Sequence, residues 1–150
     1  MDTLEVVTWH SDWAWSLPLI VTTIVVHVLG LGLLNRATEW ALGPDKGGRP
    51  STARFIGMLV LVSLANTMML AGAVFLWAGV YVYLGALADG RSSMLYSFSA
   101  LTSYGHAQIY LKDQWQLMGA LESLNGMILL GITTAYMFSV IQRVWPTQIK

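Results

Sequence analysis

The sequence predicts an all-α integral membrane protein that crosses the bilayer three times. Hydrophobic residues make up 55% of the 150 residues and charged residues only 11%, and the mean hydropathy is +0.58. This balance lies outside the range of soluble domains. Three long apolar stretches contain no charged residue: 23 residues between Asp12 and Arg36, 34 between Arg54 and Asp89, and 20 between Glu122 and Arg143. Each stretch is long enough for a transmembrane helix, which needs about 20 residues.

Composition also excludes several classes of function. The chain has eight basic and eight acidic residues and no basic patch, so a nucleic-acid partner is not expected. Cysteine is absent, which removes disulfides, thiol nucleophiles and thiolate metal sites. No paired carboxylates and no nucleophile near a base occur within the charge-free stretches. We therefore expect a protein that is not an enzyme and needs no cofactor.

The first predicted helix spans residues 17–35, with Pro18 in its first turn, where a missing N–H group costs little. Acidic residues precede it where a signal peptide would be basic, so we expect it to be retained.

Residues 1–16 contain aromatic residues at a spacing suited to an extracytoplasmic interfacial segment. Residues 36–54 contain Gly-Pro, Gly-Gly and Arg-Pro steps that break helices, and they form the predicted cytoplasmic linker.

The second predicted helix runs from about Phe55 towards Leu84, after the capping residues Ser51 and Thr52. The third spans residues 117–144 and ends before Pro146. Residues 146–150 are expected to form a short cytoplasmic tail.

The basic residues indicate the orientation of these helices. Six of the eight lie in the predicted linker, at the end of the third helix or in the tail: Arg36, Lys46, Arg49, Arg54, Arg143 and Lys150. Basic loops favour the cytoplasm, so we expect a plasma (inner) membrane protein with its N-terminus outside and its C-terminus in the cytoplasm.

A full crossing by the segment SFSALTSYGHAQIY, residues 97–110, would place the tail on the opposite side of the membrane from the basic linker. The charge pattern therefore favours a segment that enters the membrane and returns.

The residues of this re-entrant segment suit an ion pathway. Met94, Leu95, Phe98 and Leu101 have helical spacing, and Gly105 then interrupts the helix. Non-helical backbone at membrane depth persists only where protein buries it or water lines it. In such a loop, carbonyl oxygens can replace the hydration shell of an ion, and the negative end of the short helix favours a cation.

The stretches LYSFSALTSYGHAQ and GALESLNGMILLGITTAYMFSVIQR resemble the pore helix, selectivity filter and inner helix of tetrameric potassium channels. That family has approximately Tyr-Phe-Ser, then Thr-Thr-(Val/Leu)-Gly-Tyr-Gly-Asp, then Leu-Glu-x-x-x-Gly. The resemblance covers about residues 77–143, and more loosely the first two helices, which are similar to those of small bacterial ion-channel proteins. The matching positions are Tyr96, Ser97, Thr102, Gly105, Glu122, Asn125, Gly126 and Gly131.

The resemblance implies a pore module over residues 55–145, with a pore helix at 92–102, a filter at 103–107 and an inner helix at 117–144. It also implies a homotetramer in the lipid bilayer that conducts K⁺ or Na⁺, since one loop cannot enclose an ion path. Gly126 and Gly131 would be inner-helix hinges, or else small residues that permit close packing. Thr133 and Thr134 would line the inner cavity, or else bond to carbonyls of their own helix.

The filter departs from the family pattern. The implied filter residues are Thr102, Ser103, Tyr104, Gly105, His106, Ala107 and Gln108, with the cation coordinated at Ser103, Tyr104 and Gly105. Aligned on Gly105, Ser103 keeps the hydroxyl of the family's threonine, whereas His106 replaces a tyrosine and Ala107 replaces the second glycine. That glycine is left-handed in the family, and a Cβ there costs roughly 1 kcal/mol or more. We therefore expect reduced K⁺ selectivity.

Other polar residues have more than one interpretation. His106 either titrates at the outer mouth or packs as a neutral ring behind the filter. His27 is expected to bond across helices to Thr22, Thr23 or Asn66, although an ionisable group in a membrane also suggests function. Glu122 is expected to pair with Arg91 or Lys112, or else to concentrate cations.

Two other functions compete with a conducting channel. The chain could be a non-conducting or regulatory membrane protein with a channel fold. It could also be a haem-binding helix bundle that uses His27 with His10 or His106. Haem is the less favoured, because axial ligation needs two histidines at matching depth on facing helices.

Overall fold

The computed structural model describes residues 3–42, 52–105 and 108–144. Its elements are α1 (Thr3–Leu42), α2 (Thr52–Tyr83), α3 (Gly90–Leu101), a 3₁₀ turn (Asp113–Trp115) and α4 (Gln116–Val144). Helices α1, α2 and α4 are each long and apolar enough to cross a membrane. The prediction of a helical protein with three membrane-spanning helices is confirmed to this extent.

Helix α1 is longer than predicted at both ends. It is continuous over 40 residues, so the helix begins well before the predicted residue 17 and Pro18 lies inside it. The extracytoplasmic interfacial position of residues 1–16 stays a prediction. Asp12 and Ser16 are buried, which means that packing holds this first part against the other helices despite the backbone bond that Pro18 removes. At its other end α1 continues into the predicted linker as far as Leu42. A helix of this length spans about 60 Å and extends beyond the bilayer core.

The remaining helices begin and end close to their predicted bounds. Helix α2 begins three residues before Phe55, and α4 begins one residue before residue 117. Helix α3 begins two residues before the predicted residue 92, because Asp89 caps it: the Asp89 carboxylate accepts hydrogen bonds from the Ser92 backbone N–H and hydroxyl, both at 2.8 Å.

Polar side chains join α1 to α4 inside the bundle. The Asn125 amide donates to the Thr23 hydroxyl at 2.8 Å, and His27 Nε2 lies 2.8 Å from Thr133 Oγ1. Thr23 also donates to carbonyls of its own helix. These contacts place the polar face of α1 against α4, so α1 is part of the same packed unit as α2 and α4.

Candidate functional site

The chain between α2 and α4 returns to the end of α2 from which it leaves. Gly85, with φ +61°, turns the chain after α2. The backbone N–H of Lys112 then donates to the carbonyl of Ala86 at 3.3 Å. Ala86 and Leu111 are buried in one cluster with Trp77, Tyr81, Trp115 and Met118. Residues 84–112 therefore form a closed excursion that starts and finishes beside Tyr81.

Within this excursion, α3 packs between α2 and α4. The Ser97 hydroxyl lies 3.1 Å from the backbone carbonyl of Val74, and Leu101 packs with Ala73, Val74 and Leu129. Val74 precedes the last residue of α2 by nine positions, which is about 13 Å along a helix axis. The C-terminal end of α3 thus lies well inside the span of α2.

Three positions on one face of α4 hold α3 in place, and we call residues 119, 122 and 126 the α3 seat. Their spacing of three and four residues aligns them along a helix. A Cβ at Gly119 would collide with the Tyr96 hydroxyl, and a Cβ at Gly126 would lie 2.7 and 2.8 Å from C and Cα of Leu101. Only glycine permits so close an approach of two helices here.

The two glycines that were predicted as hinges have different surroundings in the structure. Gly126 is buried against the α3 backbone, which favours the close-packing interpretation. Gly131 is exposed, and a Cβ there would have no neighbour within 4 Å. A hinge at Gly131 stays a prediction.

Glu122 occupies the centre of the α3 seat. Its side chain is 0% exposed. The Tyr81 hydroxyl donates to Oε2 at 2.7 Å, and the Ser97 hydroxyl forms a hydrogen bond with Oε1. The predicted pairing with Arg91 or Lys112 is wrong, since both of these basic residues are exposed and hydroxyl groups bind the carboxyl group.

The loop after α3 contains the predicted filter residues. The backbone N–H groups of Ser103 and Tyr104 donate to the carbonyls of Ala100 and Ser99, at 3.0 and 2.9 Å, and close the end of the helix. The Thr102 hydroxyl donates to the Phe98 carbonyl at 2.6 Å. Residues 102–105 and Gln108 are exposed, and Tyr104 reaches 77%. His106 and Ala107 lie outside the described residues.

Two loop residues adopt left-handed backbone conformations. Ser103 has φ +54° and Gly105 has φ +71°. This region is uncommon for residues other than glycine, asparagine and aspartate, and such strain persists where the surroundings impose it. The sequence predicted that Gly105 interrupts the helix, but it gave no indication of the left-handed conformation at Ser103.

An open cavity of about 400 Å³ lies between the second half of α3, the loop and the first half of α4. Its lining combines hydroxyl groups with small residues: Tyr96, Ser99, Ala100, Ser103, Gly105, Ile109, Tyr110, Gly119, Ala120 and Ser123. Ser103 and Gly105 of the exposed loop are part of this lining.

The other predicted site residues belong to α1 and α4. The expected cross-helix bond of His27 is present, but Thr133 is its partner instead of Thr22, Thr23 or Asn66, because His27 faces α4. The Thr134 hydroxyl donates to the Leu130 carbonyl at 2.8 Å, as in the alternative interpretation of that residue. Whether Thr133 and Thr134 also line a cavity stays a prediction.

Hydrogen bonds favour the ionised form of the Asp89 carboxyl group at the start of α3. Hydrogen bonds from the backbone N–H and the hydroxyl of Ser92 hold the pKa of the exposed Asp89 carboxyl below its usual value. The other end of α3 carries the negative pole of the helix dipole. That pole lies next to the loop with exposed Thr102 and Ser103.

Comparison of the chain with known protein families, with curated proteins and with solved structures finds no match.

Proposed function

We propose that the chain is the pore-forming subunit of a homotetrameric, potassium-channel-like cation channel with reduced K⁺ selectivity. One observation carries the proposal: the excursion of residues 84–112 places the C-terminal end of α3 about 13 Å inside the span of α2. In a membrane this segment would be re-entrant. The chain would lie in the plasma membrane with its N-terminus outside, as the basic residues indicate.

The loop after α3 has the chemistry that a dehydrated cation requires. Ser103, Tyr104 and Gly105 are exposed in this loop, and hydroxyl and carbonyl oxygens of such residues can replace water around K⁺ or Na⁺. The negative pole of α3 adds electrostatic attraction for a cation.

The exposed groups also fit assembly around a central axis. One loop lies open to one side, so several copies are needed to surround an ion path. Small, hydroxyl-bearing residues of the adjoining cavity suit contact with a neighbouring subunit. A tetramer is the symmetry that the resemblance to potassium channels implies.

The test is the reversal potential of the purified protein in a planar bilayer, with K⁺ on one side and Na⁺ on the other. Current carried by cations with a reversal potential near zero supports a relaxed pore. The double variant His106→Tyr with Ala107→Gly should then increase the K⁺/Na⁺ permeability ratio, because it restores the family's residues in the filter. Ala88→Gly makes the same chemical change in an exposed loop outside the filter and should leave the ratio unaltered.

Other outcomes count against the proposal. An unaltered ratio in the double variant would contradict the filter assignment. A silent protein with a confirmed tetramer would favour the non-conducting alternative, and a Soret absorbance band in the purified protein would favour haem binding.

A further inference from the structure

The centre of the α3 seat contains a carboxyl group whose partners are all uncharged. Glu122 is completely buried and bonds to the hydroxyls of Tyr81 and Ser97. An ionised carboxylate in such surroundings is costly without a cation, and in a membrane it suggests a functional role. Arg91 and Lys112 are exposed and do not reach it.

The hydroxyl of Ser97 makes two contacts that a single proton cannot serve. Ser97 Oγ lies within hydrogen-bond distance of both the Val74 carbonyl and Glu122 Oε1. The carbonyl can only accept, and an ionised carboxylate can only accept as well. If Glu122 were ionised, one of these two acceptors would lack a donor from Ser97.

A protonated Glu122 supplies the missing donor. The Tyr81 hydroxyl donates to Oε2, Oε1–H donates to Ser97 Oγ, and the Ser97 hydroxyl donates to the Val74 carbonyl. Every contact of the group then has one donor and one acceptor.

We propose that Glu122 is a proton-binding site: it is held as a carboxylic acid that links α2, α3 and α4, and its ionisation alters the pore. The second part rests on the proposed function. Ser97 lies one helical turn before Leu101, so a change in its hydrogen bonds acts on the end of α3 from which the loop continues. An ionised Glu122 would loosen this anchor.

The titratable groups around Glu122 come from each helix that packs there. Tyr81 on α2 and Tyr96 on α3 have rings 5.6 Å apart, and both interact electrostatically with Glu122. On α1, Asp12 is buried, accepts a hydrogen bond from the Met118 backbone N–H and interacts with Tyr81. None of these groups is a cation, so none of them offsets an ionised Glu122 with a positive charge.

Infrared spectroscopy of the purified protein in liposomes tests directly whether Glu122 carries a proton. We expect a carboxylic-acid C=O band at neutral pH that shifts in D₂O and is lost in Glu122→Gln. Glutamine is a close mimic of the acid, because its carbonyl accepts from Tyr81 and its NH₂ donates to Ser97, so this variant should fold. Glu39→Gln, at an exposed glutamate bonded to Arg143, should leave the band unchanged.

The band also distinguishes Glu122 from Asp12, the other buried carboxyl group among the residues whose burial is described. Identical spectra for the wild type and Glu122→Gln would overturn the proton site. Loss of the band in Asp12→Asn, with retention in Glu122→Gln, would assign the proton to Asp12 and overturn it as well.

The pH dependence of conduction tests the second part. We expect wild-type conductance to change as the pH is raised and the Glu122→Gln conductance to lose that dependence. If both proteins respond alike, the coupling to the pore is wrong even where the band is present. If neither conducts, the proposed function fails and the infrared result still decides the proton site.

Discussion

Alanine at Gly126 and alanine at Gly131 should have opposite effects on the stability of the protein. Both glycines lie within α4, and alanine in a helix interior is favoured over glycine by about 1 kcal/mol. At Gly131 nothing lies within 4 Å of the new methyl group. We therefore expect Gly131→Ala to leave the free energy of unfolding unchanged or to raise it by up to about 1 kcal/mol.

At Gly126 the methyl group meets backbone instead of an adaptable side chain. The nearest atoms are the carbonyl group and Cα of Leu101, all closer than 3.0 Å. Overpacking costs about 1–3 kcal/mol, and contact with backbone places this site at the upper end of that range. After the gain in helix propensity, Gly126→Ala should lose about 2 kcal/mol per subunit.

The assay is reversible unfolding in detergent micelles, followed by circular dichroism, for the two variants and the wild type. The expected difference between the variants is about 2–3 kcal/mol. Equal unfolding free energies for the two variants would refute the close contact between α3 and α4. If Gly131→Ala instead alters channel opening while its stability is unchanged, the hinge interpretation applies to Gly131.

The remaining predictions concern hydrogen bonds that fix α1 and α3. Thr133→Val removes the hydroxyl that bonds His27 and should lower the unfolding free energy by about 0.6–1.7 kcal/mol. Thr134→Val removes only a bond within its own helix and should lower the unfolding free energy by less. Equal losses for the two variants in denaturant titrations would contradict this expectation. Because the Ser92 hydrogen bonds lower the folded-state pKa of Asp89, their contribution is present above the unfolded-state pKa and is lost as the pH falls through the folded-state pKa. The stability difference between the wild type and Asp89→Ala should therefore shrink on acidification, and a difference that does not depend on pH would contradict the cap.

Much of the helical architecture was predictable from the sequence. The distribution of charge marked three apolar stretches, and α2 and α4 begin within three residues of their predicted starts. The helical spacing of Met94, Leu95, Phe98 and Leu101 indicated a short helix before Gly105. These features depend on neighbours along the chain, which is why local patterns identify them.

The partners of the buried polar residues were not predictable in this way. Glu122 bonds to Tyr81 and Ser97, 41 and 25 positions away, instead of to a basic residue. His27 bonds to Thr133, 106 positions away. Such pairs depend on how the helices rotate against one another, and a helix with an apolar surface on all sides gives little indication of its rotation.

The sequence by itself therefore determined the three helices that are long and apolar enough to cross a membrane and the position of the loop after α3, because hydropathy and charge act locally. Tertiary structure decided that α1 extends to Thr3, that Gly126 contacts Leu101 and that hydroxyl groups surround Glu122. The physical reason is that a polar group buried among helices takes its hydrogen-bond partner from whichever residue packing brings within reach.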